Sequence, residues 1–327
     1  MGGGRLARYV AARLVKMVVV VFAIIVTNFL LIHAAPGDPA SVIAGESGAA
    51  DPQFLAQLRE QFGLDKPLST QLWIYVRGVA SGDLGVSHRQ QRPVADLILE
   101  RLPATLLLTG TAFAFALIMG ITLGALAARR VGRVADSIIT VLALGFYATP
   151  LFWVGLMLVL IFSVWLNWLP SFGMNTVGAD YTGWAAIADT SQYLVLPSLT
   201  LGLFYMAVYA RLTRASMLEV STQDFVRTAR AKGVPEGRIL RRHILRNALL
   251  PVITFAGIQA GQLIGGSILV ETVFAWPGIG RLAFDALLAR DYQVLLGVFL
   301  CTSVIVVLFN FITDLVYAWV DPRVSAA

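Results

Sequence analysis

A single cysteine, Cys301, stands in 327 residues, within an apolar run. No disulfide can close within the chain, and the residue reads as a small buried apolar side chain. Charge is also scarce: Asp, Glu, Lys and Arg make up 13% of the chain, against about 25% in soluble domains. The three histidines, His33, His88 and His243, are scattered without metal-ligand spacing. There is no Gly-x-x-x-x-Gly-Lys-[Ser/Thr] phosphate loop, so the chain does not bind ATP by that mechanism. H-E-x-x-H and Gly-x-Ser-x-Gly are also missing, which argues against a membrane-embedded hydrolase. Acids within the apolar runs are nearly absent apart from Asp314, for which a structural bond is the simpler role; this speaks against an ion-driven relay.

What is abundant is apolar. Hydrophobic residues are 57% and the mean hydropathy is +0.76. This composition marks an all-α integral membrane protein, with room for six helices at about 20 residues per span. The net charge of +6 clusters beside apolar runs, which points to membrane topology rather than nucleic acid.

The runs divide the chain into 1–35, an N-terminal tail and first helix; 36–101, an external loop region; and 102–327, the core. Arg5, Arg8, Arg13 and Lys16 precede the first run, Met17–Ala35. A cleaved signal peptide is the competing reading, but the apolar stretch exceeds the usual 7–15 residues. Short helices are expected at Gln53–Phe62 and Ser69–Val79. The second helix is expected over Leu102–Ala128, with Pro103 in its first turn. A third, from Asp136 to Pro170, is read as one helix kinked at Pro150. A fourth covers Tyr193–Met217 with Pro197 near its start; a fifth covers Ala248–Val270; a sixth covers Val294–Val320. In the fifth, the pairs Gly257/Gly261 and Gly261/Gly265 predict close helix packing. Polar residues in or beside apolar helices are the candidates for a translocation path: Asn28, Gln259, Gln262 and Glu271. With this layout 17 Lys and Arg lie inside and eight outside, which places both termini in the cytoplasm.

Segment 218–247 is the most informative. Ser221 to Pro251 carries seven of the 25 basic residues: Arg227, Arg230, Lys232, Arg238, Arg241, Arg242 and Arg246. It cannot span, since each such charge costs about 2.5–3.5 kcal/mol at the bilayer centre. Ser221, Thr222 and Asp224 offer N-cap oxygens; Phe225, Ala229 and Lys232 recur at helical spacing; Gly233 is a natural stop, and Pro235 opens a second, basic helix. A basic helix resting on anionic lipid would read the same way.

The residues themselves resemble a known pattern. Arg227-Thr228-Ala229, three residues and Gly233, with Leu250-Pro251 beyond, resemble the EAA loop of ABC-importer permeases, in the form found in the dipeptide, oligopeptide and nickel branch. Glu271 to Gly280, ETVFAWPGIG, and the closing Asp314 to Arg323 are similar to the same branch, as are Gly82-Asp83-Leu84-Gly85 and Pro93-Val94. The resemblance implies a type I permease fold of six transmembrane helices in a bacterial inner membrane. It implies a coupling helix, carried by Asp224, Phe225, Arg227, Thr228, Ala229, Lys232, Gly233 and Val234, that docks on a cytoplasmic ATPase. It further implies a second, similar permease, two ATPase subunits that hold ATP and Mg, an extracytoplasmic substrate-binding protein, and no cofactor in this chain. The expected function is importing peptides or similar small solutes by alternating access; a stand-alone secondary transporter or channel is the alternative.

Overall fold

The computed structural model describes residues 3–34, 66–87 and 89–320. The expected helix at 53–62, the turns before residue 66, His88 and Asp321-Pro322-Arg323 lie outside them. Among the described residues, five helices are long and apolar enough to cross a membrane: Val10–Leu31, Val94–Arg129, Trp184–Ser221, Glu236–Leu263 and Tyr292–Leu315. A sixth crossing is formed if Val134–Ala148 and Leu151–Trp165 are counted together. These two pieces meet at 107°, so the expected kink at Pro150 is a full break. Each piece is about 22 Å long at 1.5 Å per residue, too short to cross alone.

Three boundaries differ from the sequence expectation, each for the same reason. Amphipathic or polar turns extend an apolar helix beyond the bilayer, where hydropathy no longer marks them. The second crossing begins at Val94, so Pro103 lies inside it rather than in its first turn. The fourth begins at Trp184, after Gly183 at φ 60°, which places Pro197 fourteen residues in. The basic stretch after Pro235 is not a separate helix. It runs from Glu236 through a π-helical turn, Ile239–Leu245, straight into Arg246–Val273.

The helices are numbered α1 (Gly3–Ala34), α2 (Leu68–Ala80), α3 (Val94–Arg129), α4 (Val134–Ala148), α5 (Leu151–Leu158), α6 (Trp184–Ser221), α7 (Asp224–Ala231), α8 (Glu236–Arg238), α9 (Arg246–Val273), α10 (Ile279–Leu288) and α11 (Tyr292–Val320). The chain divides into two compact units. One comprises Met1–Leu102 and Leu282–Phe311. In it, strands β1 (Val86–Ser87) and β2 (Arg92–Pro93) form an antiparallel pair, and the Ser87 hydroxyl donates to Asp291. Gly297 lets α11 approach the first turn of α3, where a Cβ would meet Val94. Along α1, Val18, Val19 and Phe22 are exposed, the surface that a bilayer would cover.

The other unit comprises Pro103–Arg281 and Ile312–Ala327. Here α6 is the central helix, packed against α4, α5 and α9. Its core includes Leu108, Leu196, Leu201, Tyr209, Leu263 and Trp276. Gly120 and Gly124 are four residues apart on α3, and α6 lies directly on them. A Cβ on Gly124 would fall on the Ala210 carbonyl and the Thr213 side chain. This is small-residue packing of the kind expected where lipid removes any hydrophobic drive between helices. On α9, Gly257 meets Thr313, whose hydroxyl donates to the Gly257 carbonyl at 3.0 Å, as the glycine spacing predicts. Gly265 is exposed with nothing within 4 Å of an added Cβ, so it is not a packing position among the described residues, while Gly261 is buried.

Candidate functional site

The loop of 218–247 is a compact hairpin of helices. Asp224 opens α7 as its first helical residue, with Gln223 in extended geometry before it. The expected caps do not form. The Ser221 and Thr222 hydroxyls turn back to the carbonyls of Leu218 and Glu219 and close the end of α6 instead. Asp224 still places its charge in the first turn, where the helix dipole favours it. The other end follows expectation. Gly233 sits at φ 73°; its N–H donates to the Arg230 carbonyl at 2.9 Å, and the Val234 N–H donates to Ala229 at 3.2 Å. That pair of bonds is a Schellman stop, which requires the left-handed conformation that glycine adopts without strain.

Burial sorts the faces of α7. Val226 and Ala229 point inward and pack with Met217, Val220, Ile239, Ile244 and Ala248. The expectation that Ala229 shares a docking face with Gly233 is therefore corrected: its small size lets α7 lie on its own chain. The outward face carries Asp224, Phe225, Arg227, Thr228, Lys232 and Gly233, all exposed, with Val234 half-buried. Phe225 is 40% exposed on a strongly polar helix. The Arg230 guanidinium donates to Glu236 at 2.8 Å across the turn. Behind it, Arg129, Ser221, Arg230, Glu236 and Leu240 bound an open cleft of ≈310 Å³.

The four residues proposed for a path separate. Gln262 is exposed and Gln259 half-exposed on α9. Asn28 is buried and donates to the Leu296 carbonyl at 3.1 Å, so it ties two helices of its own unit together. Glu271 is fully buried. Its Oε1 accepts the hydroxyls of Thr105 at 2.8 Å and Ser267 at 2.9 Å, and its Oε2 accepts the Arg281 N–H at 3.0 Å. Thr105 in turn accepts the Ile279 N–H at 2.8 Å, and the Trp276 indole donates to Ala104 at 2.8 Å. A Cβ on Gly278 or Gly280 would collide with this carboxylate. In this conformation Asn28 and Glu271 hold structure together rather than line a path.

Sequence reasoning missed one ion pair. Arg214 on α6 binds Asp136 on α4 in bidentate fashion, Nε to Oδ1 at 2.7 Å and Nη2 to Oδ2 at 2.9 Å. The Gly132 N–H adds a third bond to Asp136 at 3.1 Å. The two residues are 78 apart, and no local pattern links them.

Apolar crossings with a basic hairpin between two of them mark a multi-pass membrane protein, and its relatives give the class: the membrane permease of a binding-protein-dependent importer. Residues 120–326 match the family described as "Binding-protein-dependent transport system inner membrane component". Residues 6–109 match its N-terminal companion, "Binding-prot-dependent transport system membrane comp, N-term". The chain belongs to this family. It is 44% identical over 316 residues to the glutathione transport system permease protein GsiC of Escherichia coli O6:H1 (strain CFT073), covering 97% of this chain and 98% of that one. Identity is 43%, with the same coverage, to GsiC of Escherichia coli K12 and of Shigella dysenteriae serotype 1. Among solved structures, the inward-facing MetNI methionine ABC transporter matches with TM-score 0.53 and 20% identity, over 69% of this chain and 96% of that one. An amino acid ABC transporter with histidines matches with TM-score 0.51 and 17% identity, over 68% and 94%.

The chain is thus a transport subunit of an ABC importer with a type I permease fold, and it carries no ATPase site of its own. It is a multi-pass membrane protein that works with ATPase and substrate-binding partners. Family membership rules out the stand-alone transporter or channel.

Proposed function

We propose that this permease imports peptides or peptide-like small solutes, with glutathione, named for its relatives, as the first solute to try. It pairs with a second, similar permease, and two ATPase subunits hold the ATP and Mg that drive alternating access. Both termini are cytoplasmic. An extracytoplasmic binding protein delivers the solute. The exposed face of α7, Asp224, Phe225, Arg227, Thr228, Lys232 and Gly233, docks on an ATPase subunit, and Val234 continues that edge. The observation that carries the docking assignment is Phe225: an exposed aromatic on a short polar helix, closed by its Schellman stop, outside the apolar crossings. An aromatic anchor in a polar surround is the usual centre of a protein interface.

Co-expression with the neighbouring permease and ATPases, followed by reconstitution, tests the reading. Vesicles with the loaded binding protein should accumulate glutathione only when ATP is supplied. Accumulation without ATP, or stable purification of the chain with no ATPase attached, would reject it.

A further inference from the structure

Arg211 lies inside α6, one turn further into the crossing than Arg214. Asp136 neutralises Arg214, but among the described residues no carboxylate lies within ion-pair distance of Arg211. Instead its guanidinium carbon sits 5.2 Å from the centre of the Tyr147 ring. Both residues stand at a cavity of ≈120 Å³ whose wall is mainly apolar, with Ile139, Ala143 and Leu144 of α4 and Ala207 and Ala210 of α6, and which Thr140 and the Asp136-paired Arg214 also line. A charge within a crossing is costly and almost always faces the bundle interior or a water-filled cavity. A second observation agrees. Tyr147 is two residues from the break at Thr149 and Pro150, where the backbone is extended. Non-helical backbone at membrane depth is tolerated where it is buried in protein or lines water, not against acyl chains. Tyr147 and Arg211 are both exposed on this chain, and a guanidinium at the edge of a crossing is met by water or protein rather than by acyl chains.

We propose that Arg211 is an anion-binding site on the translocation path, which holds a carboxylate of the solute while an apolar part of it enters the cavity beside Tyr147. The guanidinium supplies a planar pair of donors that matches a carboxylate. The aromatic ring and the apolar wall limit how much water competes for it. The inference deepens the peptide reading above, and rests on it only for the choice of solute. A lipid phosphate offers the same chemistry, and the break in the helix argues against it.

The test uses the assembled transporter in vesicles, with radiolabelled S-methylglutathione as probe. Arg211→Gln should lower uptake about tenfold or more, the worth of one charge-assisted bond. Arg211→Lys should retain much of the rate, and Arg133→Gln should match wild type. In a Cys301→Ala background, Arg211→Cys should react with charged, water-soluble methanethiosulfonates. The aminoethyl reagent, which restores a positive charge, should recover uptake; the sulfonatoethyl reagent should not. Wild-type uptake by Arg211→Gln, or equal recovery with both reagents, would overturn the site. Modification only by lipid-soluble thiol reagents would also overturn it, in favour of a lipid. If wild type imports no probe while the substituted position reacts from water, the peptide reading fails and the water-facing site stands.

Discussion

The Thr105 hydroxyl donates to the Glu271 carboxylate at 2.8 Å across 166 residues of chain, joining α3 to the end of α9. The same hydroxyl accepts the Ile279 N–H, so one side chain clamps the carboxylate and the start of α10 together. Glycine at 278 and 280 leaves room for the carboxylate, and Trp276 seals the site against Ala104. The Glu271–Gly280 string thus folds around its own first residue.

Removal of this carboxylate should destabilise the permease more than loss of a surface charge. Glu271→Ala removes the carboxylate that the Thr105 and Ser267 hydroxyls and the Arg281 N–H meet in a fully buried site. The expected loss is about 1–3 kcal/mol, the cost of a buried donor that loses its acceptor. Glu271→Gln keeps one acceptor oxygen and should lose less. Thermal unfolding in detergent, followed by tryptophan fluorescence, reads both. An Ala variant as stable as wild type would show that water replaces the carboxylate.

Close packing of α3 on α6 gives a sharper contrast. Gly124→Val should prevent folding, because a Cβ there strikes the Ala210 backbone, which cannot yield as a flexible side chain can. Gly110→Ala, on the same helix with nothing within 4 Å, should be tolerated and gain slightly in helix propensity. Monodispersity of the two purified variants by size exclusion decides it.

Much of this was legible in the sequence. Apolar runs separated by basic clusters marked the crossings, and Gly233 marked the stop of α7, because those signals are local. The long-range parts were not legible. Asp136 and Arg214 meet only because α4 lies on α6. Glu271 looked like a polar cost in or near a membrane helix, and only the folded turn reveals that its oxygens are satisfied. Ala229 looked available for docking because helical spacing gives faces, not which face turns inward. The break at Pro150 was visible as a proline, but a kink and a 107° turn share the same residue.

Topology can be read directly. If both termini are cytoplasmic, as proposed, Asn175 should be outside, and Gly132 and Glu236 inside. Cysteine placed singly at each site, in a Cys301→Ala background, should react with an impermeant thiol reagent in intact cells only at Asn175. Labelling of Glu236→Cys from outside would invert the layout.

The loop of α7 yields the last prediction, which separates packing from docking. Ala229 is 6% exposed, wedged with Val226 against Ile239 and Ile244. Ala229→Trp therefore overpacks the hairpin and should lower the stability of the isolated chain by about 1–3 kcal/mol. Gly233→Ala meets no neighbour but must hold φ 73°, so the Schellman stop is strained by roughly 1 kcal/mol. Phe225→Ala removes an exposed ring and should leave the isolated chain as stable as wild type. If α7 docks on an ATPase, Phe225→Ala should nevertheless release the ATPases on pull-down, while Arg241→Gln retains them. A helix that rests on anionic lipid predicts the opposite: Arg241→Gln weakens membrane association and Phe225→Ala leaves the ATPases in place. Pull-down and thermal unfolding measured on the same preparations distinguish the two, because only docking dissociates loss of partner from loss of stability.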